Sequence, residues 1–382
     1  MTGPEALPPP SSRTSEGLSR LAVLDLMRTV ALLRVIVFHV TGIDGLSLVA
    51  SMPVMFFVAG ALFARSMKNR RGLIVTRDRY RRILPSLFAF ATALMALYAT
   101  LGMLRGTWSS FPGSGAIEEL GIYDSARLFF PLFSGEPPVG PGTPDDAVFW
   151  TWNPLWYVHT HLVLALFGPL LVHSYRRWPK ALFGVVGAIW LLDAVGNAGT
   201  ANTITFLVFF VAGFSFTDGR LLAVERSTMR RVTLACALIG LAFVPFGPSL
   251  SINGWAPALL FVGAAWVAGS IAWRDQLEKV AVGRVFRPVI SFVNRRALTM
   301  YLWSMSGIYV SRTLMPVEGN LLRLSWIAIA SLVLTLAMTL VACVLFGWIE
   351  DLAARKSPEW WPGHPIRRVR SGQSAVGGEP TM

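Results

Sequence analysis

Four ionisable residues fall within one apolar stretch, LAVLDLMRTVALLRVIVFHVT over residues 21–41: Asp25, Arg28, Arg34 and His39. In a helix, successive residues turn by about 100° and rise about 1.5 Å, so Arg28 and His39 point within about 20° of one another and stand about 16.5 Å apart along the axis. Asp25 lies one turn before Arg28, the spacing at which side chains pair. Arg34 points about 120° off that face. Histidine has an ordinary pKa near the working pH and is suited to general-base work. Arginine offers a planar, bidentate grip on phosphate or carboxylate. The blander reading has Asp25 and Arg28 paired at a helix end, Arg34 meeting a backbone carbonyl, and His39 satisfied locally. His159 and His161 open a later apolar stretch. Residues two apart diverge by about 200°, so no metal site is expected there, and one of the two is left to face the same cavity as His39.

The helix that must carry these groups is poorly suited to lipid on its own. Its twelve Leu, Ile, Phe and Val residues favour insertion by about 4 to 7 kcal/mol, while two deep arginines cost about 5 to 7 kcal/mol. A bundle has to hold it, and ionisable groups in such a position face the interior or a water-filled cavity and mark function.

The rest of the chain supplies that bundle. Of 382 residues, 54% are hydrophobic and 14% charged, and the mean hydropathy is +0.55; a soluble domain carries about 25% charge. The expected fold is all-α, one polytopic membrane helix bundle. A bilayer core needs roughly 20 apolar residues as helix, and ten segments come close: about 21–41, 46–66, 83–104, 155–174, 180–197, 202–217, 230–247, 255–273, 297–313 and 324–349. Threading the chain through these ten places 28 of the 34 Lys and Arg residues on one side and four on the other, Arg105, Arg127, Arg312 and Arg323. Since cytoplasmic loops carry the excess of Lys and Arg, both termini are expected in the cytoplasm. The net charge of +13 then reflects topology in the cell membrane, and no nucleic acid partner is implied.

Residues 1–20 read as a disordered cytoplasmic tail, 21–350 as the membrane domain, and 351–382 as a basic cytoplasmic tail. The connection 105–150, rich in Pro and Gly, is expected outside the cytoplasm as a lid or a tether. The segment around 284–296 mixes apolar and basic residues; it is read as an extended lead-in to the ninth helix rather than an amphipathic surface helix. Cys236 and Cys343 lie in apolar runs and behave as small hydrophobes. No internal repeat is visible.

The pattern Asp25, Arg28 and His39 resembles the first helix of the acyltransferase-3 family of multi-pass membrane enzymes. Further motifs follow in the family's order: Phe56-Phe57-Val58-Ala59-Gly60, Arg82-Ile83-Leu84-Pro85, Pro154-Leu155-Trp156-Tyr157-Val158 and Thr299-Met300-Tyr301-Leu302. The chain departs at Ala59, where the family often has Ser, and at Ser304, where it favours His. The resemblance spans Asp25 to about Glu350. It implies transfer of an acyl group, commonly acetyl, from cytoplasmic acyl-CoA to a hydroxyl on a carbohydrate, glycolipid or secondary metabolite, without a metal. His39 would be base or acyl relay, with Arg28 and Asp25 the other catalytic residues; Arg28, together with Arg82 from a basic stretch that also holds Arg77, Arg79 and Arg81, would hold the donor; and Trp156 and Tyr301 would contact substrate. The rival classes are a transporter or flippase, and a catalytically inactive assembly partner.

Overall fold

The computed structural model describes residues 12–105, 154–196, 201–247, 251–315 and 326–361. Apart from Arg105, the expected lid or tether lies outside them, as do most of both tails. Among the described residues every regular element is a helix: α1 (Ser12–Thr41), α2 (Ser51–Ser66), α3 (Gly72–Arg105), α4 (Leu155–Arg177), α5 (Pro179–Gly196), α6 (Ala201–Thr217), the single turn α7 (Arg220–Ala223), α8 (Arg226–Phe243), α9 (Ala256–Ala272), α10 (Arg274–Val282), α11 (Phe286–Arg295), α12 (Ala297–Leu314) and α13 (Trp326–Ala353), with short 3₁₀ turns between some of them.

By length and composition alone, five spans are long and apolar enough to cross a membrane: Asp44–Ser66, α4, α5, Arg226–Phe246 and α13. The pair α9 and α10, bent by 75° at its junction, makes a sixth if counted as one. The interrupting charges of α1 and the shortness of α6 keep these two out of that class. Solvent-facing apolar surface is abundant: Leu191, Leu192 and Val195 on α5, Leu234 and Leu238 on α8, and Val333 and Val341 on α13 are all exposed. Soluble monomers rarely expose so much contiguous apolar surface.

Among the described residues the core has two large apolar clusters that meet along α1 and α4, and a small third of Leu26, Ala281 and Ile290. Val23, Leu24, Met27 and Ala31 of α1 join a cluster built on α2, α6 and α9. One turn further on, Leu32, Val35, Ile36 and Val40 join a cluster built on α3, α12 and α13. Leu32, Ile36 and Val40 are fully buried, so protein rather than lipid surrounds this stretch of α1, as its charges require.

Close packing of α2 against α6 explains one motif. A Cβ on Gly60 would lie 1.9 Å from the carbonyl oxygen of Phe210, and one on Gly213 would lie 2.3 Å from that of Phe57. The two glycines let the backbones touch, as small residues do between membrane helices. Thr217 adds a bond from its hydroxyl to the Ala61 carbonyl at 2.7 Å.

The segment around 284–296 corrects the sequence expectation. It is not extended: α11 occupies Phe286–Arg295, with Ile290 and Val293 buried and Phe286 and Val289 exposed. Apolar residues at i and i+3 on one face suffice for this helix once α1 and α12 cover them. Its last residues lock the bundle end. Arg296 is fully buried and donates to Gly347 O at 2.8 Å, to Asp351 Oδ2 at 2.8 Å and to Glu359 O, while Arg295 reaches Asp351 Oδ1 at 2.8 Å and Glu359 Oε2 at 2.7 Å.

Candidate active site

Among the described residues, two cavities take in ionisable side chains of α1, one toward each end. The first, about 230 Å³, holds Arg28 together with Arg79 and Arg82 of α3, Tyr157 and His161 of α4, and Glu350 of α13. The second, about 300 Å³, holds His39 and Arg34 of α1 with Trp156 of α4, Asn202 of α6 and Asn253. Tyr301 of α12 lines both. Its ring stands 4.9 Å from that of Tyr157, centroid to centroid, on the side of the first cavity.

The first cavity is a cationic cradle. Arg79 and Arg82, three residues apart, fall about 60° apart around α3, and both line the cavity with Arg28, Arg79 half-buried and Arg82 exposed at its mouth. No carboxylate among the described residues lies within ion-pair distance of Arg28, Arg79 or Arg82. The two acids at the rim are already engaged: Glu350 Oε1 accepts from Thr299 N at 2.7 Å and from the Thr299 hydroxyl, and Asp351 is held by Arg295 and Arg296. Two polar atoms, His161 Nδ1 and Asn294 Oδ1, are buried there without a partner. Surplus positive charge and unsatisfied polar atoms together fit an anionic, multiply hydrogen-bonding ligand.

The second cavity has aromatic walls. Trp156 stacks on Phe206 with centroids 5.4 Å apart, and Phe206 stacks on Phe56 at 4.8 Å. His39 is positioned from both sides: its ring stands edge-on to Phe38 at 5.1 Å, and Arg312 of α12 donates to its backbone carbonyl at 3.3 Å.

The structure brings together Arg28 and Arg82 in one space and His39 and Trp156 in the other, with Tyr301 between. Asp25 it does not bring in. Asp25 lines neither cavity and forms no ion pair with Arg28; its backbone carbonyl accepts from Asn294 Nδ2 at 2.9 Å, which ties α11 to α1. The histidine left to join His39 is also corrected, since His161 faces the first cavity and neither His159 nor His161 lines the second. Ser304, where the related pattern has His, is fully buried, donates to Tyr301 O at 3.1 Å and lines neither cavity. Ala59 does line the first.

Sequence reasoning set His161 or its neighbour beside His39 rather than in this cavity, gave Tyr157 and Glu350 no role, and did not separate Arg79 from its neighbours. For Arg79 a signal existed in the i, i+3 spacing to Arg82, which excludes Arg77 and Arg81 from the same face. Glu350 closes a long-range bond to Thr299, for which no local pattern exists.

Neither a curated protein nor a solved structure matches this chain. A family model described as an acyltransferase domain does, over residues 21–348, which takes in the second cavity and all of the first except Glu350, Asp351, Ala354 and Lys356 at its rim, and the chain belongs to the acyltransferase-3 family of membrane acyltransferases.

Proposed function

We propose that the chain is an O-acyltransferase of the cell membrane. It moves an acyl group, acetyl in the simplest case, from cytoplasmic acyl-CoA to a hydroxyl of a carbohydrate, glycolipid or secondary metabolite. The observation that carries this reading is the division of labour along α1: a cradle of three arginines at one end, a histidine in an aromatic cavity at the other, and one tyrosine common to both. In this reading α1, α3, α6 and α12 join α2, α4, α5, α8, α9 and α13 as ten spans. The Arg28 end faces the cytoplasm with both termini.

Arg28, Arg79 and Arg82 bind the phosphates of the donor, where guanidinium geometry suits them. The axial distance of about 16.5 Å from Arg28 to His39 is comparable to the reach of an extended pantetheine arm, so the thioester passes Tyr301 and arrives near His39. The acceptor enters the second cavity from the other side. His39 takes the proton of the acceptor hydroxyl as its oxygen attacks the thioester carbonyl; the carbon–sulfur bond breaks, and the proton leaves with the thiol.

The test uses the full chain in nanodiscs with acetyl-CoA and an extract of glycolipids and polar metabolites, read by mass spectrometry for an added acetyl. Wild type should give acetylated product, and His39→Ala should lower the rate by about 10²–10⁴-fold, the usual contribution of a general base. A correctly inserted His39→Ala protein with full activity overturns the mechanism. The transporter reading rests on the same two cavities meeting at Tyr301; movement of substrate into proteoliposomes without acylated product would decide for it.

A further inference from the structure

Arg34 has no part in the scheme above. It is 8% exposed, it lines the second cavity, and it lies outside the cationic cradle that Arg28 shares with Arg79 and Arg82. Its Nε donates to Leu46 O at 2.6 Å, and its guanidinium carbon sits 4.6 Å above the Phe38 ring. These two contacts fix the plane of the group and leave its two terminal nitrogens unused. Nη2 is buried with no hydrogen-bond partner, and no carboxylate among the described residues is within ion-pair distance. An arginine cannot shed its proton to relieve this, and a buried charge without a partner is strongly unfavourable.

The cavity's remaining lining shows what is missing. Among the described residues that line it, Arg34 is the single charged group other than the titratable His39; the rest are aromatic, aliphatic or neutral and polar, and none is acidic. Asn202 points a second unpartnered buried atom, Oδ1, from the same lining. Trp156, stacked on Phe206, offers a flat face beside them. The volume of about 300 Å³ is at the lower end for small-molecule sites.

We infer that the second cavity takes an acceptor bearing an anionic group, a carboxylate or a phosphate, seated on the terminal nitrogens of Arg34, with the hydroxyl to be acylated turned toward His39. This rests on the proposed acyltransferase reading and narrows its acceptor to an acidic polyol, such as a uronic acid or a phosphorylated sugar. The guanidinium supplies the paired donors that either anion matches, Asn202 supplies a polar contact for a neighbouring hydroxyl, and Trp156 covers a ring face.

The test is equilibrium binding to the full chain in nanodiscs, followed by tryptophan fluorescence. Three probes are used: methyl β-glucuronide, glucose 6-phosphate and the neutral methyl β-glucoside. An anionic probe should bind about tenfold more tightly than the glucoside, and which of the two does so identifies carboxylate or phosphate as the group. Arg34→Gln should bring the anionic probes down to the neutral one, and Arg34→Lys should retain part of the preference, since it keeps charge without the planar fork. Equal binding of charged and neutral probes, no binding of any probe, or a preference that survives Arg34→Gln overturns the proposal. If Arg34→Gln does not fold, Arg34→Lys with an undiminished preference does so. The two readings fail separately. A charge preference with no acetyl transfer to any probe removes the acyl-CoA reaction and leaves the anion site; transfer to the glucoside as fast as to the anionic probes does the reverse.

Discussion

Within the basic stretch from Arg77 to Arg82, position on the helix decides which guanidinium is available for chemistry. Arg79 and the exposed Arg82 line the first cavity, whereas Arg77 and Arg81, also exposed, do not. All four add equally to the positive charge of this stretch, yet only two line the space where the proposed donor phosphates would sit. A hydrogen bond to a charged group contributes about 1.5–3 kcal/mol. Arg79→Met should therefore raise the apparent KM for acyl-CoA by about tenfold or more, while Arg77→Met should leave it unchanged. Steady-state rates at varied acyl-CoA check this, and equal effects of the two substitutions would assign Arg79 to topology alone. At this scale the sequence was partly legible. The near alignment of Arg28 with His39 follows from helix geometry, because one regular helix carries both. Which way Asp25 and His161 face does not follow, because neighbouring helices decide it: Asn294 of α11 occupies the backbone carbonyl of Asp25, and the first cavity claims His161.

Among the elements, glycine positions separate contact from exposure. Gly60 in α2 and Gly184 in α5 both sit in apolar helices, but a Cβ at Gly60 would meet the Phe210 carbonyl oxygen at 1.9 Å, while one at Gly184 would meet nothing within 4 Å. Backbone cannot swing aside as a side chain can, so Gly60→Ala must force α2 away from α6. Such overpacking costs about 1–3 kcal/mol or more. Gly184→Ala should instead be neutral or stabilise by about 0.5–1 kcal/mol, because alanine favours the helix. Thermal unfolding of the purified protein in detergent should show a lowered midpoint for Gly60→Ala and an unchanged or raised one for Gly184→Ala; the opposite order would mean that α2 and α6 do not touch as described. The element boundaries themselves were mostly readable, since each long apolar run became a helix. The runs did not mark the early starts of α1 at Ser12 and α3 at Gly72, nor α10, nor α11. The apolar face of α11 is too short to register against the basic residues around it, and this helix is defined by burial beneath α1 and α12 together with the ion pairs of Arg295 and Arg296 with Asp351.

For the whole molecule, the arrangement of charge relative to the bilayer decides which cavity would meet acyl-CoA in the proposed reaction. The proposed ten spans place the turns near Arg70 and Lys180 on the cytoplasmic side, and the turns near Gly45 and Gly247 opposite. An even number of spans puts both termini on one side, and the excess of Lys and Arg there names that side as the cytoplasm. Single cysteines introduced by Arg70→Cys, Lys180→Cys, Gly45→Cys and Gly247→Cys, in a background carrying Cys236→Ser and Cys343→Ala, test the arrangement directly. In intact cells a membrane-impermeant maleimide should label the cysteines at 45 and 247, and those at 70 and 180 only after permeabilisation. Length and composition alone cannot reach this result, because α1 carries three charges through its middle and α6 is short; both count as spans only if protein, not lipid, surrounds their polar groups. Burial of Leu32, Ile36 and Val40 on α1 meets that condition. Labelling at 45 and 70 from the same side would remove α2 as a span and turn both cavities toward one face. Donor and acceptor would then have to share an entrance, and the division of labour along α1 would lose its physical basis.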